Sequence, residues 1–263
     1  MELKNAVCIV TGSASGIGAA SAIMLASKGA RVLVNYSKSE AAARATLKAC
    51  EAAGAKLGGE ALLVKADVAQ DADCRRLAQS ALDKWGRIDA LVNNAGTTKF
   101  ANHADLDALS AEDFQRIYSV NVVGSYQMVR ACAPAMKQGG RGAVVNVSSI
   151  AGKNGLGSSI AYAASKGALN TLTMSLARVL GPEIRVNAVC PGMVDTKWLR
   201  EGYGPRYAAI EARYRQGTAL GRPGKPEEVA GVIVWLIEGA DLITGETIMV
   251  DSGMHMGLMQ PKL

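Results

Sequence analysis

Aromatic rings, histidines and long apolar runs are scarce in this chain of 263 residues, of which only 5% are aromatic. The two histidines, His103 and His255, lie far apart without ligand-like neighbours, so no metal site is expected. No apolar run approaches the ~18 residues of a membrane span. The first apolar run begins within about five residues of the start, leaving no room for a secretory leader. Cysteine is sparse too: Cys8, Cys50, Cys74, Cys132 and Cys190 are odd in number and lack C-x-x-C or His-paired spacing, which suits buried free thiols in a reducing cytoplasm. The net charge is +6 but no lysine/arginine block accompanies it, so nucleic acid is not an expected partner. The ending Pro261-Lys262-Leu263 has proline where a peroxisomal Ser-Lys-Leu signal has a small polar residue. A soluble, cytoplasmic protein with no membrane partner is expected.

What is present is apolar matter in short pieces. Hydrophobic residues make up 49% of the chain, enough for a substantial core. Strand candidates are Ala6–Thr11, Arg31–Tyr36, Ala61–Ala66, Ala90–Asn93, Ala143–Val147, Arg185–Val189 and Thr247–Val250. They are mostly short apolar runs rather than alternating ones, which suits strands covered on both faces. Between them lie helical stretches at Ser39–Ala53, Ala72–Trp85, Ser110–Met136, Ile160–Leu180 and Pro226–Glu238. Right-handed crossovers turn that alternation into one α/β domain, a doubly wound parallel sheet of about seven strands with helices on both faces. Only residues 194–218, with Trp198, Tyr203, Tyr207 and Tyr214, break the rhythm, and they suit a lid above the active edge.

Three clusters carry chemistry. Thr11-Gly12-Ser13-Ala14-Ser15-Gly16-Ile17-Gly18 follows the first apolar run and precedes a helix; glycines there let a pyrophosphate approach bare backbone at a helix N-terminus. Val144 to Val147 reads as a strand ending in the hydroxyls of Ser148 and Ser149, and in such sheets ligands sit beyond the strands' carboxyl ends. Tyr162 and Lys166 stand four apart, on one face of a helix, where a cation favours the phenolate and so tunes an acid/base group.

Together with Asp67-Val68, Asn93-Asn94-Ala95-Gly96, Asn121-Val122-Val123-Gly124, Arg185-Val186-Asn187, Pro191-Gly192 and Thr244-Gly245, these motifs make nearly the whole chain resemble the short-chain dehydrogenase/reductase family. The layout is similar to that of bacterial 3-oxoacyl-[acyl-carrier-protein] reductases. The resemblance implies a Rossmann-type fold and a catalytic tetrad of Asn121, Ser149, Tyr162 and Lys166. Tyr162 would donate the proton and Ser149 would hold the substrate oxygen. Lys166 would lower the phenol's pKa and bind the nicotinamide ribose, and Asn121 would hold a relay water. Implied dinucleotide contacts are Gly12, Ser13, Ser15, Gly16, Ile17 and Gly18; Asp67 and Val68; Asn94, Ala95 and Gly96; and Pro191, Gly192, Val194 and Thr196. Relatives of this kind form homotetramers through the long helices and the last strand.

Cofactor choice turns on Asn35-Tyr36-Ser37-Lys38 at the end of the second strand, where no acidic residue stands. An NAD enzyme would place one there on the ribose 2′-hydroxyl. Asn35, Ser37 and Lys38 could receive a 2′-phosphate, so NADP is the preferred expectation and NAD the competitor. The expected reaction interconverts a ketone and a secondary alcohol, with a small-molecule or acyl-carrier-bound 3-oxoacyl thioester as substrate. A sugar or polyol dehydrogenase resembling glucose 1-dehydrogenase is the alternative, and a non-catalytic dinucleotide-binding redox sensor a remote one. Lys197, Arg200, Arg206, Arg213 and Arg215 outnumber Glu201 and Glu211 in the expected lid, a rim able to steer an acidic carrier.

Overall fold

Seven short strands and the helices between them form one parallel sheet in the computed structural model, which describes residues 1–257. Pro261-Lys262-Leu263 lies outside the described residues. The strands are β1 (Val7–Val10), β2 (Arg31–Tyr36), β3 (Ala61–Lys65), β4 (Ala90–Asn93), β5 (Gly142–Val147), β6 (Ile184–Pro191) and β7 (Thr247–Val250). Their order across the sheet is β3-β2-β1-β4-β5-β6-β7. The expected strands all form, with ends displaced by no more than a residue or two.

Every residue of β1, β4 and β5 is buried, because both faces are covered. Cys8 and Val10 point into one core layer and Val7 and Ile9 into the other, the period-2 alternation of a strand. Helices α1 (Gly16–Ser27), α2 (Glu40–Gly54) and α10 (Pro226–Glu238) cover the first face. Helices α3 (Asp71–Trp85), α5 (Ser125–Gln138) and α7 (Ile160–Leu180) cover the second. The chain leaves β1 towards β2 and β3, then crosses back to β4 on β1's other side. That reversal opens a crevice at the carboxyl ends of β1 and β4.

One helix differs from expectation. Ser110–Met136 is not a single α-helix but α4 (Ala111–Tyr118), a π-helical turn (Ser119–Gly124) and α5. The wider turn lets Gly124 lie against Val68, where a Cβ would come within 2.9 Å of the Val68 carbonyl oxygen. It also sets the Asn121 side chain against Thr97, the kind of local adjustment often found at functional sites.

Residues 197–216 form α8 (Lys197–Tyr203), a 3-10 turn (Gly204–Arg206) and α9 (Tyr207–Gln216). Among the described residues no helix is long and apolar enough to cross a membrane. All five cysteines are buried and free.

A short helix, α6 (Ala151–Asn154), lies directly on α7 at Lys166. Gly152 makes this approach possible, because a Cβ there would stand 2.5 Å from the Lys166 carbonyl carbon and 2.7 Å from the Gly167 nitrogen. Backbone cannot yield as a side chain can. Gly152→Ala is therefore expected to cost about 1–3 kcal/mol of stability, measured by urea unfolding, and an unchanged midpoint would show that the α6–α7 contact is loose.

Candidate active site

A cavity of about 1310 Å³ occupies the crevice. Its floor begins at the glycine turn between β1 and α1, where Gly12 (φ +60°) and Gly16 (φ +58°) adopt the left-handed backbone that favours glycine. Ser15 opens α1 without a side-chain cap. Of the residues expected to hold the dinucleotide, all but Ser13 and Gly18 line this cavity. Ser13 is fully buried and ties the turn to its surroundings, donating from Oγ to the Val10 carbonyl at 2.7 Å and accepting from the Asn35 amide at 2.9 Å. Gly18 sits beneath Asn94, whose Nδ2 would be 2.3 Å from any Cβ. Both are supports for the turn.

Asn35 also needs correcting as a phosphate contact. It is 2% exposed; its Oδ1 accepts from the Gly12 amide at 2.9 Å, and its Nδ2 points at the carbonyls of Tyr36, Val64 and Ala66 at 3.1–3.4 Å. Both ends of the amide are spent on backbone. Ser37 and Lys38 are exposed beside the cavity, with Tyr36 buried behind them. Asn94 works in the same way as Asn35, donating to the carbonyls of Thr11 and Gly12 at 3.0 and 2.9 Å. Asp67 turns its carboxylate onto the Ala69 amide at 3.0 Å, and the Val68 carbonyl accepts from Gln127 at 3.0 Å.

Helix α7 begins at Ser159, whose Oγ accepts from the Tyr162 amide at 3.3 Å, and its first turns carry Tyr162 and Lys166 to the ends of β4 and β5. Ser149 stands close enough to the Tyr162 phenol to pull its pKa down, while its Oγ accepts from the Ala151 amide at 3.1 Å. Ser148, by contrast, is buried and donates to the Lys166 carbonyl at 3.2 Å. Lys166 is 4% exposed, with Nζ donating to the Val147 carbonyl at 2.8 Å and standing 5.6 Å from the centre of the Tyr162 ring.

Desolvation pushes the Tyr162 phenol up to about 12, against a smaller downward pull from Ser149, and draws the Lys166 ammonium down to about 8. Burial, and not Lys166, sets the direction in which the phenol moves in this structure. The cation faces the Val147 carbonyl, and loss of water disfavours both charged forms.

Asn121 does not line the cavity. It is fully buried in the π-helical turn, accepting from the Thr97 amide at 2.8 Å and donating to the Thr97 carbonyl and to Ser165 Oγ at 3.0 Å each. Its own carbonyl accepts from Ser125 Oγ at 3.0 Å. It fastens the Thr97 loop to α7, and the expected water-holding role finds no free side-chain atom.

At the far end of the cavity the wall is aromatic. Trp198 stands 6.4 Å from the Tyr162 ring, Phe100 5.5 Å from Trp198, and Tyr203 5.0 Å from Phe100. Thr196 caps α8, accepting from the Leu199 amide at 3.3 Å. Asp195 accepts two bonds from Arg200, at 2.7 and 2.6 Å, and one from the Tyr207 hydroxyl at 2.9 Å; the Arg200 guanidinium holds its carboxyl below the usual range. Gly192 leaves room for the Tyr214 hydroxyl, which donates to the Asp251 carbonyl at 2.6 Å. Val194 pairs with Gly224 in an isolated bridge. Sequence reasoning missed Phe100, Gly202 and Ser165. Phe100 is one of two phenylalanines, but it lies in a loop without periodicity, so its rarity was the sole signal.

Residues 12–255 match the family described as enoyl-(acyl carrier protein) reductase. A protein named as ketoacyl reductase 2 of the granaticin polyketide synthase, from Streptomyces violaceoruber, is 43% identical over 250 residues, covering 95% of this chain and 96% of that protein. An L-rhamnose 1-dehydrogenase (NAD(P)(+)) from a Sphingomonas species is 37% identical over 261 residues, covering 97% and 98%. A crystal structure named for a short-chain dehydrogenase/reductase from Burkholderia xenovorans superposes with a TM-score of 0.88 at 43% identity, covering 96% of this chain and 99% of the other. With a glycine turn, a Ser149–Tyr162–Lys166 group and a seven-stranded parallel sheet behind these likenesses, the chain belongs to the short-chain dehydrogenase/reductase family and is an oxidoreductase of ketones and secondary alcohols that uses NAD(P).

Proposed function

We propose that the protein is an NADP-dependent reductase of 3-oxoacyl thioesters or closely related ketones. One observation carries the choice: beside Tyr162 the cavity presents the rings of Trp198, Phe100 and Tyr203, and Met193 and Leu199 add apolar lining to a cavity whose other side chains include Asn102, His103 and Asn154. A polyol brings many hydroxyls, and each one dried without a partner costs about 1–3 kcal/mol. The carboxylate at that end, Asp195, is already engaged by Arg200 and Tyr207. Sugar oxidation, suggested by the name of the Sphingomonas relative, is the second reading.

The residues fit a dinucleotide. The uncapped first turn of α1 offers amides and the positive dipole end to a pyrophosphate. Gly96 keeps a space open that a Cβ would enter, 3.5 Å from Asn121 Oδ1 and 3.8 Å from Lys166 Nζ. When bound, the dinucleotide supplies the hydride. Tyr162 gives its proton to the carbonyl oxygen as charge develops there, and Ser149 hydrogen-bonds the same oxygen. Lys166 binds the ribose hydroxyls, while Ser37 and Lys38 receive the 2′-phosphate. Residues 194–218 act as the lid. Arg206 and Arg213 line the cavity and, among the described residues, make no ion pair, which suits an acidic carrier. A cytoplasmic homotetramer completes the reading; the assembly is supported by the exposed apolar side chains Tyr126, Met174 and Val179 on α5 and α7, Val123 in the π-helical turn, Trp235 on α10 and Leu242 before β7.

Substrate preference, proton donation, the burial of Lys166 and cofactor choice can each be measured. With reduced NADP, kcat/KM for acetoacetyl N-acetylcysteamine thioester should exceed that for L-rhamnose oxidation with NADP at least ~10²-fold, and Tyr162→Phe should lower turnover at least ~10²-fold with cofactor affinity nearly unchanged. Rhamnose as the better substrate would transfer the assignment to sugars.

Between pH 8 and 10.5 the unfolded chain keeps a proton on Lys166 that the folded site has released. Stability therefore rises with pH across that window. Unfolding of wild type and Lys166→Met at pH 7.5 and 10.5 should show the difference moving about 3 kcal/mol in favour of wild type. A flat difference would mean the ammonium is not desolvated.

Ser37→Asp should shift the kcat/KM ratio towards NAD at least ~10-fold by repelling the 2′-phosphate. Asn35→Asp should instead cost about 2 kcal/mol or more of stability, because it sets a carboxylate against backbone carbonyls. A cofactor switch in Asn35→Asp without destabilisation would return residue 35 to the cofactor.

A further inference from the structure

The aromatic wall is assembled from two distant pieces of chain held by separate means. Phe100 comes from the loop after β4, which is zipped to the segment before α7: the Ala101 amide donates to the Ser158 carbonyl at 2.9 Å, and Thr98 Oγ1 is 2.8 Å from Ser158 Oγ. Trp198 and Tyr203 come from α8. The two pieces meet at Gly202, where the Phe100 ring occupies the place of a side chain: a Cβ would lie 2.0 Å from its Cζ. No other residue at 202 leaves that ring where it is.

Trp198 remains 45% exposed although it is 5.5 Å from Phe100 and tilted 46° over Tyr162. It therefore offers ring surface beside the phenol that would protonate a substrate. Rings at such tilts recognise another ring by edge-to-face contact, which an aliphatic group of equal size does not reproduce.

We propose that Phe100, Trp198 and Tyr203 form an aromatic subsite that selects ketones carrying an aryl ring next to the carbonyl, with Gly202 as the positioning residue. The proposal rests on Tyr162 as proton donor. In the reaction the carbonyl π bond breaks, the carbon gains a hydride from the reduced nicotinamide, and the oxygen gains the Tyr162 proton, giving an aryl carbinol and oxidised cofactor.

The test compares kcat/KM for acetophenone and cyclohexyl methyl ketone with reduced NADP in wild type, Trp198→Leu, Phe100→Leu and Gly202→Ala. Comparing ratios between proteins cancels the intrinsic reactivity of the two ketones. The acetophenone-to-cyclohexyl ratio is expected to fall about tenfold in each variant, the size of an aromatic contact. Gly202→Ala keeps all three rings, so the same fall there identifies displacement of Phe100 rather than its loss. Equal ratios in all four proteins overturn the subsite and leave the reductase standing. If neither ketone is turned over, calorimetric titration of the full chain with oxidised NADP and 1-phenylethanol or 1-cyclohexylethanol separates the two readings. Preference for the phenyl alcohol keeps the subsite and leaves the reductase reading to the thioester assay, and equal binding overturns the subsite.

Discussion

The carboxyl edge of the sheet has to satisfy its backbone polar groups without filling the crevice that the strand reversal creates. Asparagine amides meet that constraint, because one short side chain supplies both a donor and an acceptor. Asn35 joins the Gly12 amide to carbonyls at the ends of β2 and β3. Asn94 holds the carbonyls of Thr11 and Gly12, and Asn121 pairs with both backbone groups of Thr97. Deeper in, Asn93 donates to Asn146, which donates to Thr173 on α7. The amides stitch turn to turn and sheet to helix, and the cavity stays open above them.

On that frame Lys166 is buried, while Tyr162 is half-buried at the cavity wall. Lys166 lies between α6 and β5 with one carbonyl accepting its hydrogen bond, and the Tyr162 phenol rests against Ser149 and the aromatic wall. Removing water raises the energy of both ions, so the pair rests as phenol and weakened ammonium. In such surroundings hydrogen bonds aimed at a developing alkoxide act more strongly than they would in water.

The segment above the crevice is fastened from two sides. Asp195, Arg200 and Tyr207 lock α8 to α9, with the Arg200 guanidinium 4.9 Å above the Tyr207 ring, and Tyr214 ties α9 to the end of β7 through Asp251. The same bonds redistribute its charge. Arg200 and Arg215 are neutralised by Asp195 and Glu211, which leaves Arg206 and Arg213 to face the cavity. A basic sequence became a short basic rim.

The sequence by itself determined the strands, because Val7–Val10, Arg31–Tyr36 and Ala90–Asn93 are short, mostly apolar and rich in β-branched residues between longer helical stretches, which is how strands buried on both faces read. It also located the glycine turn and the Tyr162/Lys166 face, since both depend on local geometry: a tight turn and one turn of helix. Tertiary structure decided what depends on a partner distant in the chain. Asn35 became a backbone clamp because β3 runs beside it. Asn121 turned away from the cavity because the chain widens into a π turn against Thr97. Phe100 entered the site because Gly202, about a hundred residues later, leaves a gap of its shape. The charge balance of Tyr162 and Lys166 was likewise fixed by burial, which spacing along a helix does not encode.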